Sequence, residues 1–293
     1  MSDSTPPSSG PAPVDYDPST VYDKVTAAWR LLLGDELHYG VFEQGDEPLE
    51  VATGELTRRM IAAAGLEGPG GPGPGARVLD VGCGTGAPAR RLATSYGVEV
   101  VGITTSPVGV DTARTLTERA GVRGVTFEQR DGTDNQLPDE SFDLVWVMES
   151  SHLMRRRLEL VSECARVLRP GGRLVLCDLL RWRDIPFAEV RARRDDFGML
   201  REWFGDAHFE SLSWYAEAAE ENGFAVDVRE DLTDLTLPTF DRWRANAVTH
   251  HDEVGELLGE DGRDAFVRSC DVLEAFWRDG TFGYGLLAAT KAE

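Results

Sequence analysis

The residues best suited to chemistry lie in the segment Val78–Gly86, which reads VLDVGCGTG. A short apolar run delivers Gly82, Gly84 and Gly86 into the turn before a predicted helix. Glycine allows a tight turn and lets a ligand approach the backbone, because no Cβ stands in the way. Asp80 lies at the end of the apolar run, where a carboxylate suits a cationic ligand group better than a pyrophosphate. The segment predicts a ligand site, although a plain strand-to-helix turn would use the same glycines.

The glycine run also partly fits the fingerprint of dinucleotide-binding enzymes. That fingerprint has a third small residue, which Ala87 supplies, and an acid at the end of the second strand. Here the second strand ends in GITTS, residues 102–106, which contains no acid. A nicotinamide- or flavin-dependent dehydrogenase is therefore the weaker interpretation.

The elements that must position these residues follow from the pattern after residue 77. RVLDVGCG, VEVVGITTS, VTFEQRDG, FDLVWVMES and RLVLCDLL are strand candidates, mostly separated by helical stretches. Their continuous apolar character fits strands buried on both faces of a parallel sheet. GFAVDVRED and TFGYGLLAATK add two strands, the last as a hairpin-like return. We expect an α/β fold with a doubly wound, mostly parallel seven-stranded sheet, N-terminal helices and a helical cap.

The composition shifts along the chain predict how it is divided. Apolar residues recur at helical spacing before the Gly/Pro-rich stretch EGPGGPGPGA, and helical patterns return late in the chain. The predicted parts are a disordered tail (1–14), an N-terminal helical cap (15–66), a linker (67–76) and an α/β core (77–293) with helical cap insertions at about 180–222 and 239–279.

The charge balance excludes several classes of partner. The 293 residues carry 30 Lys and Arg against 51 Asp and Glu, a formal net charge of −21. Such a chain is a poor match for nucleic acids or anionic membranes. No apolar run approaches the roughly 20 residues of a membrane helix, and the N-terminus lacks a signal-peptide pattern. We expect a cytoplasmic protein.

Cysteine and histidine positions do not predict a metal site. The four cysteines form no CxxC pair, so neither metal-ligand spacing nor a disulfide framework is expected. His250 and His251 are neighbours on a predicted helix, where they point about 100° apart. We expect no bound metal.

Three motifs, in order, resemble those of class I methyltransferases that use S-adenosylmethionine (SAM). VLDVGCGTG resembles the first motif of that family, RDGTDNQLPDESFDLVW its acid-then-Pro segment, and RVLRPGGRLVLCD the motif before strand five. The resemblance covers roughly residues 16–180 and implies the Rossmann-like methyltransferase fold with SAM as cofactor. LHYGVFE, GITTSP and MESSHLM are most similar to bacterial small-molecule methyltransferases of natural-product pathways.

The resemblance also implies which residues contact SAM. The methionine end would be held by one carboxylate and the glycine turn, and covered by side chains of the N-terminal helices. A second carboxylate would face the adenine amino group, and two residues after strand four would border the sulfonium. These residues are Asp80, Gly82, Gly84 and Gly86; Tyr22 and His38; Asp131 with Gly132; and Met148 with Glu149.

The ribose contact departs from the family pattern. Most class I enzymes have an acid near position 104 that binds both ribose hydroxyls, and this chain has Thr104. Relatives with a similar segment place a glutamine a few residues on, where this chain has Gly109. Thr104, Thr105 and Ser106 are the remaining candidates.

His152 and Asp178 are the candidate catalytic pair. His152 follows strand four in ESSHLM, and Asp178 ends strand five in LVLCD. The ends of these strands are neighbours in this fold, and a nearby carboxylate raises the basicity of an imidazole. The pair is therefore a sensible general base with an orienting partner. The alternatives are a loop histidine, and an aspartate that caps a helix or pairs with Arg181 or Arg183.

We expect methyl transfer to a hydroxyl oxygen of a specialised metabolite, large and apolar or aromatic, such as a phenol or a sugar alcohol. C-methylation of an alkene such as a prenyl diphosphate stays open, with Arg155–Arg157 as phosphate ligands, and so does N-methylation. From another class, a SAM-binding cyclase or scaffold that transfers no methyl group is the alternative. Assembly into a homo-oligomer is also left open.

Overall fold

The computed structural model describes residues 27–68 and 71–293. Tyr22 and the predicted tail, residues 1–14, lie outside the described residues. Within the described chain, the seven predicted strands form one sheet. The strands are β1 (Arg77–Val81), β2 (Glu99–Thr104), β3 (Val125–Gln129), β4 (Phe142–Met148), β5 (Leu168–Arg181), β6 (Phe224–Asp231) and β7 (Phe282–Lys291).

The sheet has the strand order β3-β2-β1-β4-β5-β7-β6. The strands from β3 to β5 are parallel, whereas β7 runs antiparallel between β5 and β6. The prediction of a mostly parallel, doubly wound sheet with a hairpin-like return is confirmed. The chain changes direction across the sheet between β1 and β4, and the crevice at the carboxyl ends of such strands is where ligands bind in open α/β sheets.

Helices cover both faces of the sheet and its carboxyl edge. One helix start at the carboxyl edge is capped by a serine: Ser106 Oγ accepts a hydrogen bond from Gly109 N at 2.8 Å, and Pro107 occupies the first turn of that helix. The helices are α1 (27–33, the described part), α2 (Leu49–Ala63), α3 (Ala87–Tyr96), α4 (Pro107–Ala120), α5 (Arg157–Val167), α6 (Phe187–Ala192), α7 (Arg194–Phe204), α8 (Leu212–Glu221), α9 (Thr233–Thr236), α10 (Thr239–Thr249), α11 (His251–Leu258) and α12 (Glu260–Arg278).

Two apolar cores lie on opposite faces of the sheet. Trp146 belongs to one core and its neighbour Val147 to the other, because successive strand residues point to opposite faces. The first core also holds buried residues of α2, α10 and α12, and the second those of α5 and α8. Helix α8 therefore packs on one face of the sheet, whereas α7, α10, α11 and α12 contribute to the core on the other face and form the helical cap.

An aromatic cluster joins the N-terminal segment to this helical region. The ring of Tyr39 stacks on Trp277 at 5.4 Å between centroids, and lies 4.8 Å from Trp243 and 5.2 Å from Tyr284. Tyr284 is on β7, whereas the tryptophans are on α10 and α12. The segment before α2 is thereby packed against both the sheet and the cap helices.

Candidate active site

A cavity of about 710 Å³ lies at the carboxyl edge of the sheet. One end is lined by Gly82, Gly84, the end of β2 and residues 130–133, and the other by cap side chains. The cavity thus joins the predicted cofactor site to a second compartment. The walls of that compartment are mainly apolar and include Leu33, Leu37, Leu179, Phe197, Leu200, Phe204, Phe209 and Leu273.

Asp80 is buried directly before the glycine turn. Its Oδ2 atom has no hydrogen-bond partner among the described residues, and burial raises its pKa to about 7. A buried carboxylate that lacks a partner is costly, so a cationic ligand group offsets the cost. Asp80 does not itself line the cavity, but it lies two residues before Gly82, which does. The orphaned oxygen is therefore suited to a cationic group, such as the amino group of SAM, bound at the glycine turn.

The glycines of the turn differ in what requires them. A Cβ on Gly82 would lie 2.2 Å from Ser150 Cβ, and one on Gly86 would lie 2.4 Å from Phe127 Cζ. Gly82 and Gly84 line the cavity, whereas Gly86 does not. Gly86 is thus needed for packing at the start of α3, and the first two glycines form the ligand-facing turn.

The segment after β3 forms a slot suited to adenine. Asp131 Oδ1 accepts hydrogen bonds from Thr133 N and Oγ1, each at 2.8 Å. A Cβ on Gly132 would lie 2.6 Å from Val81 Cγ1, so only glycine fits there. Ile103 also lines this end of the cavity. The slot combines an apolar wall with a carboxylate edge, as the recognition of an adenine ring and its amino group requires.

The end of β2 offers hydroxyl groups to the cavity. Thr104, Thr105 and Ser106 all line it. Thr104 Oγ1 lies 3.3 Å from Ser106 N, and Ser106 Oγ accepts from Gly109 N. Ser106 Oγ is thus engaged in capping α4, which leaves Thr104 and Thr105 as the better ribose candidates.

His38 supports the N-terminal segment and does not line the cavity. Its Nδ1 lies 2.8 Å from Tyr39 O and its Nε2 lies 2.9 Å from Glu36 Oε2. Burial opposes the charge, but the hydrogen bond to Glu36 raises the pKa of His38 and, in return, lowers that of Glu36 to about 2. With both ring nitrogens engaged, His38 shapes the segment, and its neighbour Tyr39 lines the cavity.

Met148 and Glu149 occupy different places after β4. Met148 packs in the first core and does not line the cavity, whereas Glu149 does. Glu149 Oε1 accepts hydrogen bonds from Tyr39 N at 2.8 Å and from the Tyr284 hydroxyl. Burial raises the pKa of Glu149. This carboxyl therefore fastens the N-terminal segment to β7 beside the cavity.

His152 and Asp178 lie together, as expected from the neighbouring strands β4 and β5, but Asp178 does not end β5: the strand continues to Arg181, paired with β7. His152 Nδ1 is 2.6 Å from Asp178 Oδ1, and Asp178 also accepts from the backbone N–H of Ser151 and Leu179. Burial opposes both charges, yet the attraction between the two groups raises the pKa of His152 and lowers that of Asp178. His152 lines the cavity, and its Nε2 has no hydrogen-bond partner among the described residues. This is the arrangement of an oriented general base.

Nearby arginines have carboxylate partners other than Asp178. Arg155 lies 2.6 Å from Asp206, and Arg156 lies 3.4 Å from Asp131. Arg157 and Arg181 both pair with Glu210. The ion pairs account for these cations without a phosphate-bearing ligand.

The remaining histidines have acidic partners, and the described residues hold neither a metal site nor a membrane-spanning helix. His250 and His251 pair with the acids Glu253 and Asp252. Residues 27–68 and 71–293 contain no group of three His, Cys, Asp or Glu side chains placed to hold a metal ion. No helix in this part of the chain is long and apolar enough to cross a membrane.

Sequence reasoning did not single out some side chains at the site. Tyr39 and Trp29 line the cavity from the N-terminal segment, and the hydroxyls of Ser151 and Tyr215 lie behind Asp178. Of the aromatic side chains between residues 182 and 214, Phe197, Phe204 and Phe209 line the cavity, Phe187 is exposed, and Trp203 packs in the first core, while Trp182 and Trp214 contact the second. The aromatic-rich composition was the available signal for the cavity wall, but it could not separate these locations.

Comparison with known proteins identifies the family. Residues 79–176 match the methyltransferase domain model. The 27-O-demethylrifamycin SV methyltransferase of Amycolatopsis mediterranei is 34% identical over 274 residues, 93% of this chain and 96% of that protein. The chain belongs to the SAM-dependent methyltransferases. The methyltransferase GfsG of Streptomyces halstedii is also 34% identical, over 92% of each chain.

The fold of this methyltransferase also occurs in an enzyme with another reaction. The [4+2]-cyclase SpnF is 25% identical, with a TM-score of 0.77 over 94% of each chain. Solved structures of this fold hold SAM or S-adenosylhomocysteine. SAM is the cofactor and a small molecule is the acceptor.

Proposed function

We propose that this methyltransferase methylates a hydroxyl oxygen of a large apolar or aromatic specialised metabolite, with His152 as general base. The observation that carries the proposal is His152, which lines the cavity and whose Nδ1 lies 2.6 Å from the fully buried Asp178. The four free cysteines, all buried, support a cytoplasmic location.

The chain's own residues then have distinct tasks. Asp80, the turn at Gly82 and Gly84, and Asp131 would hold SAM, which supplies a methyl group activated by a positively charged sulfur. His152 Nε2 accepts the proton of the acceptor hydroxyl as that oxygen becomes nucleophilic. Asp178 holds Nδ1–H and stabilises the imidazolium that results. The cavity walls align the hydroxyl with the methyl group, which supplies much of the rate enhancement in a displacement reaction.

The acceptor class is inferred from the second compartment. Its walls are built from leucine and phenylalanine side chains of β5, α1, α7, α12 and the loop before α8. Such walls bury apolar surface, while a few polar groups fix orientation. The relative from Amycolatopsis carries an O-methylation site in its name, which supports oxygen as the acceptor atom.

A cyclase that binds SAM without methyl transfer is the second candidate, favoured by the similarity to SpnF. The two functions differ in what happens to SAM, because a cyclase would not convert it to S-adenosylhomocysteine. The His152–Asp178 pair supports the methyltransferase, since a base is needed to remove a hydroxyl proton.

The test is incubation with methyl-labelled SAM and a fractionated metabolite extract, followed by mass spectrometry. The expected product carries the label on oxygen, with one S-adenosylhomocysteine for each product molecule. His152→Ala should lower turnover roughly 10²–10⁴-fold and leave SAM affinity intact. His251→Ala, at an exposed position, is the matched control. Undiminished turnover in His152→Ala would remove this residue from the mechanism, and label on carbon or nitrogen would correct the acceptor atom.

A further inference from the structure

We propose that Ser151 and Tyr215 are positioning residues that hold the Asp178 carboxylate in the orientation that hydrogen-bonds His152; this inference rests on the proposed function. The Ser151 hydroxyl lies within hydrogen-bond distance of both Asp178 Oδ2 and the Tyr215 hydroxyl, the latter at 2.8 Å. The three side chains form a chain of hydrogen bonds that ends at the imidazole.

The direction of each hydrogen bond follows from the chemistry of the groups. An ionised carboxylate only accepts, so the single hydroxyl proton of Ser151 is donated to Asp178. Ser151 Oγ is then an acceptor, and the Tyr215 hydroxyl must donate to it. Burial raises the pKa of Tyr215, so this phenol keeps its proton.

The two oxygens of Asp178 receive different donors. Oδ1 accepts from His152 Nδ1 and Leu179 N, and Oδ2 accepts from the Ser151 hydroxyl and the backbone N–H groups of Ser151 and His152. The donors at Oδ2 fix the plane of the carboxylate and leave Oδ1 facing the imidazole. They also draw negative charge away from Oδ1.

Neither positioning residue lies at the cavity wall. Ser151 is fully buried and Tyr215 is 2% exposed, and neither lines the cavity. Tyr215 comes from α8, in the core on the opposite face from the cap. Ser151 and Tyr215 therefore do not act by contacting the acceptor. Their effect on His152 must pass through Asp178.

The change expected on removing the Tyr215 hydroxyl has a definite sign. Without that donor, the Ser151 hydroxyl is a weaker donor to Asp178, because hydrogen bonds in a chain polarise one another. More negative charge then remains at Oδ1, which favours the imidazolium. Other charged groups near His152 are Glu149 after β4, and Arg157 of α5, which pairs with Glu210; the substitution leaves them unchanged.

The experiment measures the pKa of His152 by NMR in uniformly ¹⁵N-labelled protein, with the signal assigned through His152→Asn. In Tyr215→Phe this pKa should rise by about 0.1–0.6 pH unit, because losing a neighbouring bond weakens the Ser151–Asp178 hydrogen bond by roughly 10–30%. The rising limb of kcat/KM against pH should move up by the same amount, with unchanged SAM affinity. Tyr96→Phe removes a distant tyrosine hydroxyl that donates to Glu67 and should change neither quantity.

A double-variant comparison separates positioning from packing. Ser151→Ala should move the His152 pKa at least as far as Tyr215→Phe, and adding Tyr215→Phe to Ser151→Ala should produce no further change. A Tyr215→Phe variant that melts earlier with an unmoved His152 pKa would overturn the proposal, as would an additive change in the double variant. Because the NMR titration needs no turnover, it remains decisive even if His152→Ala keeps full activity and the proposed function fails.

Discussion

Asp80 lies at the buried end of β1 with one carboxyl oxygen that lacks a partner among the described residues. Burial raises its pKa to about 7, so near neutral pH the protonated and the ionised forms of this carboxyl are both populated. A cationic ligand favours the ionised form of the carboxyl. In the role proposed for Asp80, the affinity for SAM and the ionisation of this carboxyl are therefore linked.

This linkage predicts a pH-dependent affinity. Below pH 7 the carboxyl is mostly neutral and must release a proton when SAM binds. The dissociation constant for SAM should therefore be roughly tenfold higher at pH 6 than at pH 8. Isothermal titration calorimetry at several pH values checks this. Asp80→Asn should weaken binding about 10–100-fold at pH 8 and flatten the pH dependence. Thr104→Ala should weaken SAM binding far less than Asp80→Asn does. Equal losses of SAM affinity in the two variants would contradict the assignment of Asp80.

The raised pKa of Asp80 also predicts that neutralising this carboxyl stabilises the ligand-free protein. Its folded pKa lies above the unfolded value of about 3.9, so stability falls as pH rises from about 4 to 7. Asp80→Asn should stabilise the ligand-free protein by about 1–4 kcal/mol at pH 8, with little gain at pH 4. Urea unfolding at both pH values measures the difference. Asp111→Asn, at an exposed position, is the control. A destabilised Asp80→Asn variant at pH 8 would show that the buried charge is already well compensated.

The sequence predicted those site residues that follow directly from strand ends. Asp80 lies near the end of β1, and His152 follows the end of β4. Asp178 lies in β5 next to Cys177, which pairs with the last residue of β4, so their placement at one edge of the parallel strands follows from strand order. The same reasoning could not reach Tyr215, which comes from a helix 64 residues after Ser151 and acts through it. Nor could it tell that Glu36 engages one ring nitrogen of His38, because that depends on the path of an irregular segment.

The segment before α2 is fixed between the sheet and α10. Thr239 Oγ1 accepts a hydrogen bond from Gly40 N at 3.1 Å and lies 3.4 Å from Gly40 O. A Cβ on Gly40 would lie 2.6 Å from Ala52 Cβ, so the segment passes tightly over α2. This anchor, next to Tyr39, sets how the segment covers the cavity.

Loss of the anchor should loosen the segment. Thr239→Val keeps the side-chain shape but leaves the buried Gly40 amide without its acceptor, at a cost of about 1–3 kcal/mol. Hydrogen exchange of the Gly40 amide should accelerate, and SAM should dissociate faster. Thr249→Val, in the same helix at an exposed position, should change neither. Unaltered exchange at Gly40 would mean that the segment is held by its other contacts.

The elements themselves were predictable to different degrees. Strands such as β1, β5 and β7 followed from buried apolar runs next to glycines, since that pattern reflects local chemistry. The packing of α8 with the sheet could not be separated from the cap, because its alanine-rich sequence suits either partner. The contact of Tyr39 with Trp243 and Trp277 joins distant segments, and only the folded chain brings them together.

The whole molecule carries a large negative charge. With a formal net charge of −21, repulsion opposes the compact state, whereas exposed ion pairs contribute little each. Raising NaCl from about 0.01 to 0.15 M shortens the screening length from ~30 to ~8 Å. We expect Tm to rise by roughly 2–4 °C, equivalent to about 1 kcal/mol. Scanning calorimetry across this range, repeated with KCl, checks the prediction. A fall in Tm would show that the arginine ion pairs outweigh the repulsion.

The position of β7 also bears on how the molecule is made. The strand runs from Phe282 to Lys291 and lies between β5 and β6, although it is synthesised after both. Until it leaves the ribosome, β5 and β6 each present an unpaired edge, and such edges invite association between chains. The nascent chain can form the parallel strands first. Glu149 can accept its hydrogen bond from the Tyr284 hydroxyl only when β7 inserts between β5 and β6. A chain that terminates before β7 would thus be an aggregation-prone intermediate with unpaired strand edges, and a substrate for chaperones and proteases.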